Sequence, residues 1–225
     1  MIARTPPLQA VRRLSEWALS LALPRICLGC GGLAEAARSL CAGCRADLAS
    51  HVVEPPLPEG VASLRVGSRL TGPVRKLVHG LKYEGHRAAR LDLADLLLGR
   101  GDAFLPAGAV LVPIPITRTR RRERGYNQSE LLAREIGRRL GVPVEPRYLA
   151  RTRFHGSQTK KSGEERREAL AGMFVSGKGF RRDAIPVLVD DVLTTGATLS
   201  ACAAASLFAG APEVHALCMA WAGEA

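Results

Sequence analysis

Twelve residues, Val187-Leu-Val-Asp-Asp-Val-Leu-Thr-Thr-Gly-Ala-Thr198, limit what this chain can become more than any other stretch. The apolar run Val187 to Val189 reads as a strand buried on both faces, and it ends in two adjacent carboxylates, Asp190 and Asp191. Leu193, Thr194, Thr195, Gly196, Ala197 and Thr198 then supply a tight turn, and Leu199 to Phe208 read as a helix. A helix start leaves backbone N–H groups without partners and carries the positive end of the helix dipole, so an anion fits behind the turn. Gly196 lets the main chain approach that anion closely, and the threonine hydroxyls add donors. Paired carboxylates at the C-terminal edge of an α/β sheet suit the vicinal hydroxyls of a ribose. Acid pair and cradle together point to a sugar phosphate, whereas a lone Asp-Asp before a capped helix would be an ordinary turn.

Near the start, Cys27-Leu-Gly-Cys30 and Cys41-Ala-Gly-Cys44 bring two pairs of thiols together. Four soft ligands at this spacing suit a closed, structural zinc site, with Gly29 and Gly43 easing the turns. Cys202 and Cys218 sit in apolar patterns and are expected as buried, unreactive side chains. Residues 1–24 read as an amphipathic helix with Leu8, Val11, Leu14, Trp17, Ala18 and Leu21 on one face and Pro24 as its stop. Packing against the body is its expected use, and contact with a membrane surface is the lesser one. No apolar run reaches the roughly 18 residues of a spanning helix, and a cytoplasmic protein is the simplest expectation. Pro55-Pro-Leu-Pro58 then reads as a stiff connector between a module at 25–54 and a main domain at 59–225.

The net charge of +11 is concentrated. Arg118 to Arg182 hold 18 Lys and Arg against 7 Asp and Glu, while the remainder of the chain has 14 of each. Such a segment suits a polyanionic partner or a pyrophosphate-bearing substrate. Arg118, Arg120, Arg121, Arg122 and Arg124 crowd one loop, where their charges repel without an anion, and with Asn127 and Gln128 they are candidate anion or nucleic-acid contacts. Asn127 and Glu130 also have capping-box spacing for a helix from Gln128 to Leu140.

The remaining pattern is α/β. Strands are expected at Ser63 to Leu70, with a bulge at Gly67, at Val110 to Val112, at Val142 to Glu145 and at Val214 to Ala220. Helices are expected from Pro73, with Val74, Leu77, Val78 and Leu81 inward, and from Arg87 to Leu98. Arg151 to Lys161 is polar, basic and aperiodic, the length of an active-site loop.

Four motifs in order, Lys82-Tyr-Glu-Gly85, Val112-Pro-Ile-Pro115, Arg124-Gly-Tyr-Asn-Gln128 and the acid stretch, resemble the ComF family of type I phosphoribosyltransferase-like proteins. The resemblance implies a type I phosphoribosyltransferase fold, a central mostly parallel sheet flanked by helices, with a small N-terminal zinc ribbon. It places 5-phosphoribosyl-1-pyrophosphate (PRPP) and Mg²⁺ at Asp190, Asp191 and Leu193 to Thr198, pyrophosphate at Ile116, Thr117 and Arg118, and a closing loop at Arg151, Arg153 and Gln158. Ala169 and Lys161 depart from the family pattern around that loop. The implied role is handling of single-stranded DNA during uptake in natural transformation, in the cytoplasm or peripherally at the inner membrane face beside the competence machinery. The alternative is an active transferase that delivers ribose 5-phosphate to an amine or nucleobase and releases pyrophosphate.

Overall fold

The computed structural model describes residues 25–35, 37–48, 53–99, 105–152 and 172–223. The expected helix at 1–24 and the loop residues Arg153 and Gln158 lie outside them.

Strands and helices are labelled in chain order. Helix α1 (Ala42–Leu48) belongs to the cysteine module, and β1 (Ser63–Arg69), α2 (Gly72–Tyr83) and α3 (Ala89–Leu98) follow. Next come β2 (Ala109–Pro113), α4 (Arg118–Arg124), α5 (Gln128–Leu140), β3 (Leu149–Arg151) and β4 (Phe174–Ser176). The chain closes with β5 (Ile185–Leu193), α6 (Ala197–Phe208) and β6 (His215–Trp221). Four strands form one parallel sheet in the order β1-β6-β5-β2, and β3 and β4 pair antiparallel beside it. The expected α/β architecture with a central parallel sheet is therefore present, and the acid-bearing strand β5 lies inside it, hydrogen-bonded on both sides.

Parallel strands covered on both faces need near-continuous apolar runs, and β5 supplies one from Ile185 to Val189 and β6 one from Ala216 to Trp221. Leu111, Val187, Val189, Leu217 and Met219 face one core, with α2, α3 and α5 packed over them. Val112, Leu188, Ala216 and Cys218 face the other, under Cys202 and its neighbours on α6 and the β3-β4 pair. Both Cys202 and Cys218 are fully buried, as apolar patterning requires.

Three expectations change. Residue offsets between β1 and β6 stay constant from Ser63↔His215 to Arg69↔Trp221, so Gly67 makes no bulge. A Cβ there would stand 2.6 Å from the Met219 carbonyl oxygen and within 3.5 Å of Leu96 and Leu97, so the glycine admits α3 against the sheet. Val142 to Glu145 forms a single bridge, Leu111↔Val144, rather than a strand. The arginine-rich stretch is a helix, because Thr117 accepts the Arg120 N–H at its start and Gly125 ends it in the left-handed conformation.

The cysteine module shares buried residues with the main core. Leu40 and Leu48 are buried with Val74, Leu77 and Leu93. Asp92 on α3 accepts the Ser39 N–H at 2.8 Å, and Asp95 accepts both Arg38 and Arg139. Lys76 on α2 donates to the Gly29 carbonyl at 2.9 Å, within the first Cys-x-x-Cys turn.

Candidate functional site

Strand β5 does not stop at the acids. It runs through Asp190 and Asp191 to Leu193, and the turn Thr194 to Gly196 then delivers the chain to α6. Gly196 adopts φ 78°, and Thr195 Oγ1 accepts the Ala197 N–H at 3.4 Å. Thr194 and Thr195 are exposed, while Ala197 and Thr198 open the helix half-buried. The sequence thus delivers a strand, a left-handed glycine and a helix start within seven residues of the acid pair.

Both carboxylates are engaged by side chains from outside the motif. Lys82 Nζ, at the end of α2, lies 3.0 Å from Asp191 Oδ1. Ser129, in the first turn of α5, donates to Asp190 Oδ1 at 3.0 Å, and the Asp191 N–H reaches the same oxygen at 2.9 Å. Asp191 is 3% exposed, and among the described residues its Oδ2 has no hydrogen-bond partner. A buried acceptor without a donor costs about 1–3 kcal/mol, a cost that a ligand hydroxyl would remove. Burial, then the neighbouring Asp191 charge, pushes the Asp190 carboxyl up to about 7 against the opposing pull of its two donors and Lys82. One ammonium serves two acids, so the site favours an added hydrogen-bond donor or cation.

Each residue singled out in the sequence has a place. Ile116 and Thr117 lie half-buried in the loop after β2, and Arg118 begins α4 exposed. Arg121 pairs with Glu130 at 3.4 Å, Arg124 donates to Gln128 at 2.9 Å, and Arg120 and Arg122 are exposed. Asn127 is consumed by the fold: Oδ1 accepts the Ser129 N–H and Nδ2 donates to the Ile114 carbonyl. Only half of the capping box forms, since Glu130 binds Arg134 and Arg121. Arg151 lies over the Phe174 ring at 5.3 Å, and burial followed by the nearby Arg120 charge lowers its pKa. Burial pushes the Cys202 thiol well up, with the Asp190 charge adding to the shift and Arg151 opposing it.

Three contributors escaped sequence reasoning. Lys82 stood in the Lys-Tyr-Glu-Gly motif without a role, and Ser129 adjoins the Arg-Gly-Tyr-Asn-Gln motif. Pro58, read as a spacer, packs on the turn at Gly196, 3.1 Å from where a Gly196 Cβ would lie.

At the other end of the chain, the Sγ atoms of Cys27, Cys30, Cys41 and Cys44 all lie within 4.8 Å of one another, positioned to bind a metal ion. The Cys41 N–H donates to Cys27 Sγ at 3.2 Å. Burial opposes ionisation of Cys27, but N–H groups of Cys30, Cys41 and Gly29 bring its thiol down to about 6, while burial and the other sulfurs push Cys44 up to about 12. Gly29 leaves room for a ligand rather than easing a turn, since a Cβ would come within 2.7 Å of Cys44 Sγ. Gly43 lies in α1 with open space around it.

A cavity of about 500 Å³, lined by Lys82, Tyr83, Gly85, Arg120, Arg124 and Tyr126 among others, abuts the acid pair through Lys82. A roomier one of about 630 Å³ opens at the N-terminal ends of β2 and β5, beside Ala109 and Ala184, away from the acids. Clustered charge and an unsatisfied carboxylate mark the acid edge as the chemically competent end.

No family model matches the chain. DNA utilization protein YhgH of Salmonella typhi is 30% identical over 222 residues, covering 92% of this chain and 91% of that protein. Competence protein F of Haemophilus influenzae is 34% identical over 138 residues, covering 57% and 59%. Competence protein ComFC of Bacillus subtilis is 33% identical over 90 residues, covering 40% and 35%.

Proposed function

The chain belongs to the ComF family, and on that footing we propose that its acid edge binds PRPP with Mg²⁺ in a protein that handles single-stranded DNA during uptake. Asp190 and Asp191 accept the ribose hydroxyls, and the N–H groups from Leu193 to Thr198 take the 5-phosphate. Ile116 to Arg118 face the pyrophosphate. The observation that carries this reading is Asp191, buried on an inner strand with Oδ2 unpartnered and one short turn from a helix start.

Carboxylate oxygens suit a hard cation, so Asp190 and Asp191 would help hold Mg²⁺, which would neutralise the pyrophosphate charge beside them. Zinc is the proposed occupant of the four-thiolate site, which is closed and offers no open position for catalysis. The relatives' printed names, DNA utilization and competence, supply the DNA role. Among the described residues no helix is long and apolar enough to cross a membrane, and the proposed place of work is the cytoplasm, including the inner membrane face.

Calorimetric titration with PRPP and Mg²⁺ tests the site. Binding that falls at least about tenfold in Asp191→Asn, roughly the loss of one charge-assisted contact, is the expected result. A protein with no affinity for PRPP overturns the reading. Pyrophosphate release on adding an amine or nucleobase would mark the site as transferring rather than only binding.

A further inference from the structure

Two cavities meet at Gly85, and cations line both. The first, about 650 Å³, lies between the cysteine module and the start of α3 and is lined by Arg25, Arg38, His86, Arg87 and Arg90 along with apolar and backbone groups. The second is the cavity of about 500 Å³ that carries Arg120, Arg124 and Lys82, the ion-pair partner of Asp191. Gly85 lines both, and Arg87 of the first lies 4.8 Å over the ring of Tyr126 in the second.

We infer that these cavities form one track for the backbone of single-stranded nucleic acid, leading from the four-cysteine module across the Gly85 turn to the acid pair. The inference rests on the DNA-handling reading and adds where the strand lies. Cations in two cavities that share Gly85 match successive phosphates, whereas a single pyrophosphate needs only one of the two. Near the middle, Tyr83 is 65% exposed, with Arg124 5.0 Å from its ring on one side and His79 tilted against it at 4.9 Å. An exposed aromatic ring beside a basic groove is the arrangement on which unpaired bases stack. A duplex hides its bases and cannot use it.

Carboxylates are present, but most lie behind the arginines. Arg38 pairs with Asp95 and the buried Asp92, and Arg90 lies 3.8 Å from Glu135, whose side chain is 5% exposed. Glu84 pairs with His79 and His86, and Glu123 lines the second cavity. Arg25, Arg87 and Arg120 are exposed. Four of the track's cations, Arg25, Arg38, Arg87 and Arg90, lie outside the basic segment from Arg118 to Arg182, so counting charge along the chain does not find them.

Fluorescence anisotropy of the full chain with a labelled oligothymidylate tests the track, using Arg25→Ala/Arg87→Ala against a charge-matched control, Arg147→Ala/Arg182→Ala. Both control arginines are exposed and line neither cavity. Thermal melting and PRPP titration on every variant separate this outcome from misfolding and from failure of the sugar-phosphate site. Removing two phosphate contacts should flatten the dependence of log affinity on log salt by about 1.4 and weaken binding roughly tenfold at low salt. The control should retain the full slope, and PRPP affinity should not change in either variant. Equal losses in both double variants, equal affinity for a duplex of the same length, or no oligonucleotide binding by the wild type would each overturn the track. PRPP binding that persists in those cases leaves the sugar-phosphate reading intact.

Discussion

Asp190 makes the acid edge sensitive to pH near neutrality. Its carboxyl is pushed up to about 7, above the ordinary aspartate value, so the folded protein holds that proton more tightly than the unfolded chain does. Stability from this group is present in full below the unfolded pKa and is lost as pH rises through about 7. Asp190→Asn keeps an oxygen that can accept from Ser129 and from the Asp191 N–H. The variant should therefore gain stability relative to wild type between about pH 4 and 7, by at most about 1.4 kcal/mol per pH unit, as urea unfolding at several pH values will show. A parallel pair of stability curves would contradict the assignment. Ligand hydroxyls prefer the ionised carboxylate, so PRPP affinity should rise through neutral pH in wild type and flatten in Asp190→Asn. At Gly196, φ 78° and Pro58 leave no room for a side chain. Gly196→Ala should cost about 1–2 kcal/mol of stability and weaken PRPP binding, measurable by denaturation and calorimetry.

At the level of elements, the apolar runs and their punctuation were legible in the sequence. Helix α5 spans the Gln128 to Leu140 expected from its spacing and cap, and α2 buries the four residues assigned to its inner face. Close approaches were not legible, because a glycine admitting a neighbour and a glycine bending a chain are the same letter. Gly67 and Gly29 both looked like turn or bulge residues, and each instead leaves space for atoms distant in sequence. The arginine helix α4 was hidden for a related reason: charge repulsion argued for an open loop, but Glu130 and Gln128 of the next helix take up Arg121 and Arg124. Lys82 could be named but not placed, since only the fold brings the end of α2 to the middle of the sheet edge. Gly67→Ala separates the two readings of that glycine. A bulge would tolerate a methyl group, whereas contact with the Met219 carbonyl forces β1 from β6 or α3 from the sheet. Chemical denaturation should show a loss of about 1–3 kcal/mol.

Across the whole molecule, one helix links the two candidate binding centres. Lys76 in the middle of α2 grips the Gly29 carbonyl inside the first cysteine turn, and Lys82 at its end holds Asp191. Gly80 between them packs closely on Leu28 and His86, where a Cβ would lie 3.3 Å from Leu28 Cδ1 and 2.9 Å from His86 Nδ1. Leu40 and Leu48 of the module extend the same core. A metal that closes four thiolates therefore fixes the surface against which α2 is seated, and α2 in turn sets the one ammonium at the acid pair. Losing the metal removes folding free energy from the module first, because its short segments depend on ligation. The sheet keeps its own core between β5, β6 and α6 and has no direct need of the metal. Chelation, or Cys30→Ser, should leave most far-UV circular dichroism intact while weakening PRPP binding severalfold, through a Lys82 no longer held in register. Lys82→Met should weaken PRPP binding by itself and remove most of the effect of chelation, since the link would already be cut. If chelation weakens PRPP binding equally in wild type and Lys82→Met, the two centres communicate by another route and α2 is only a shared wall.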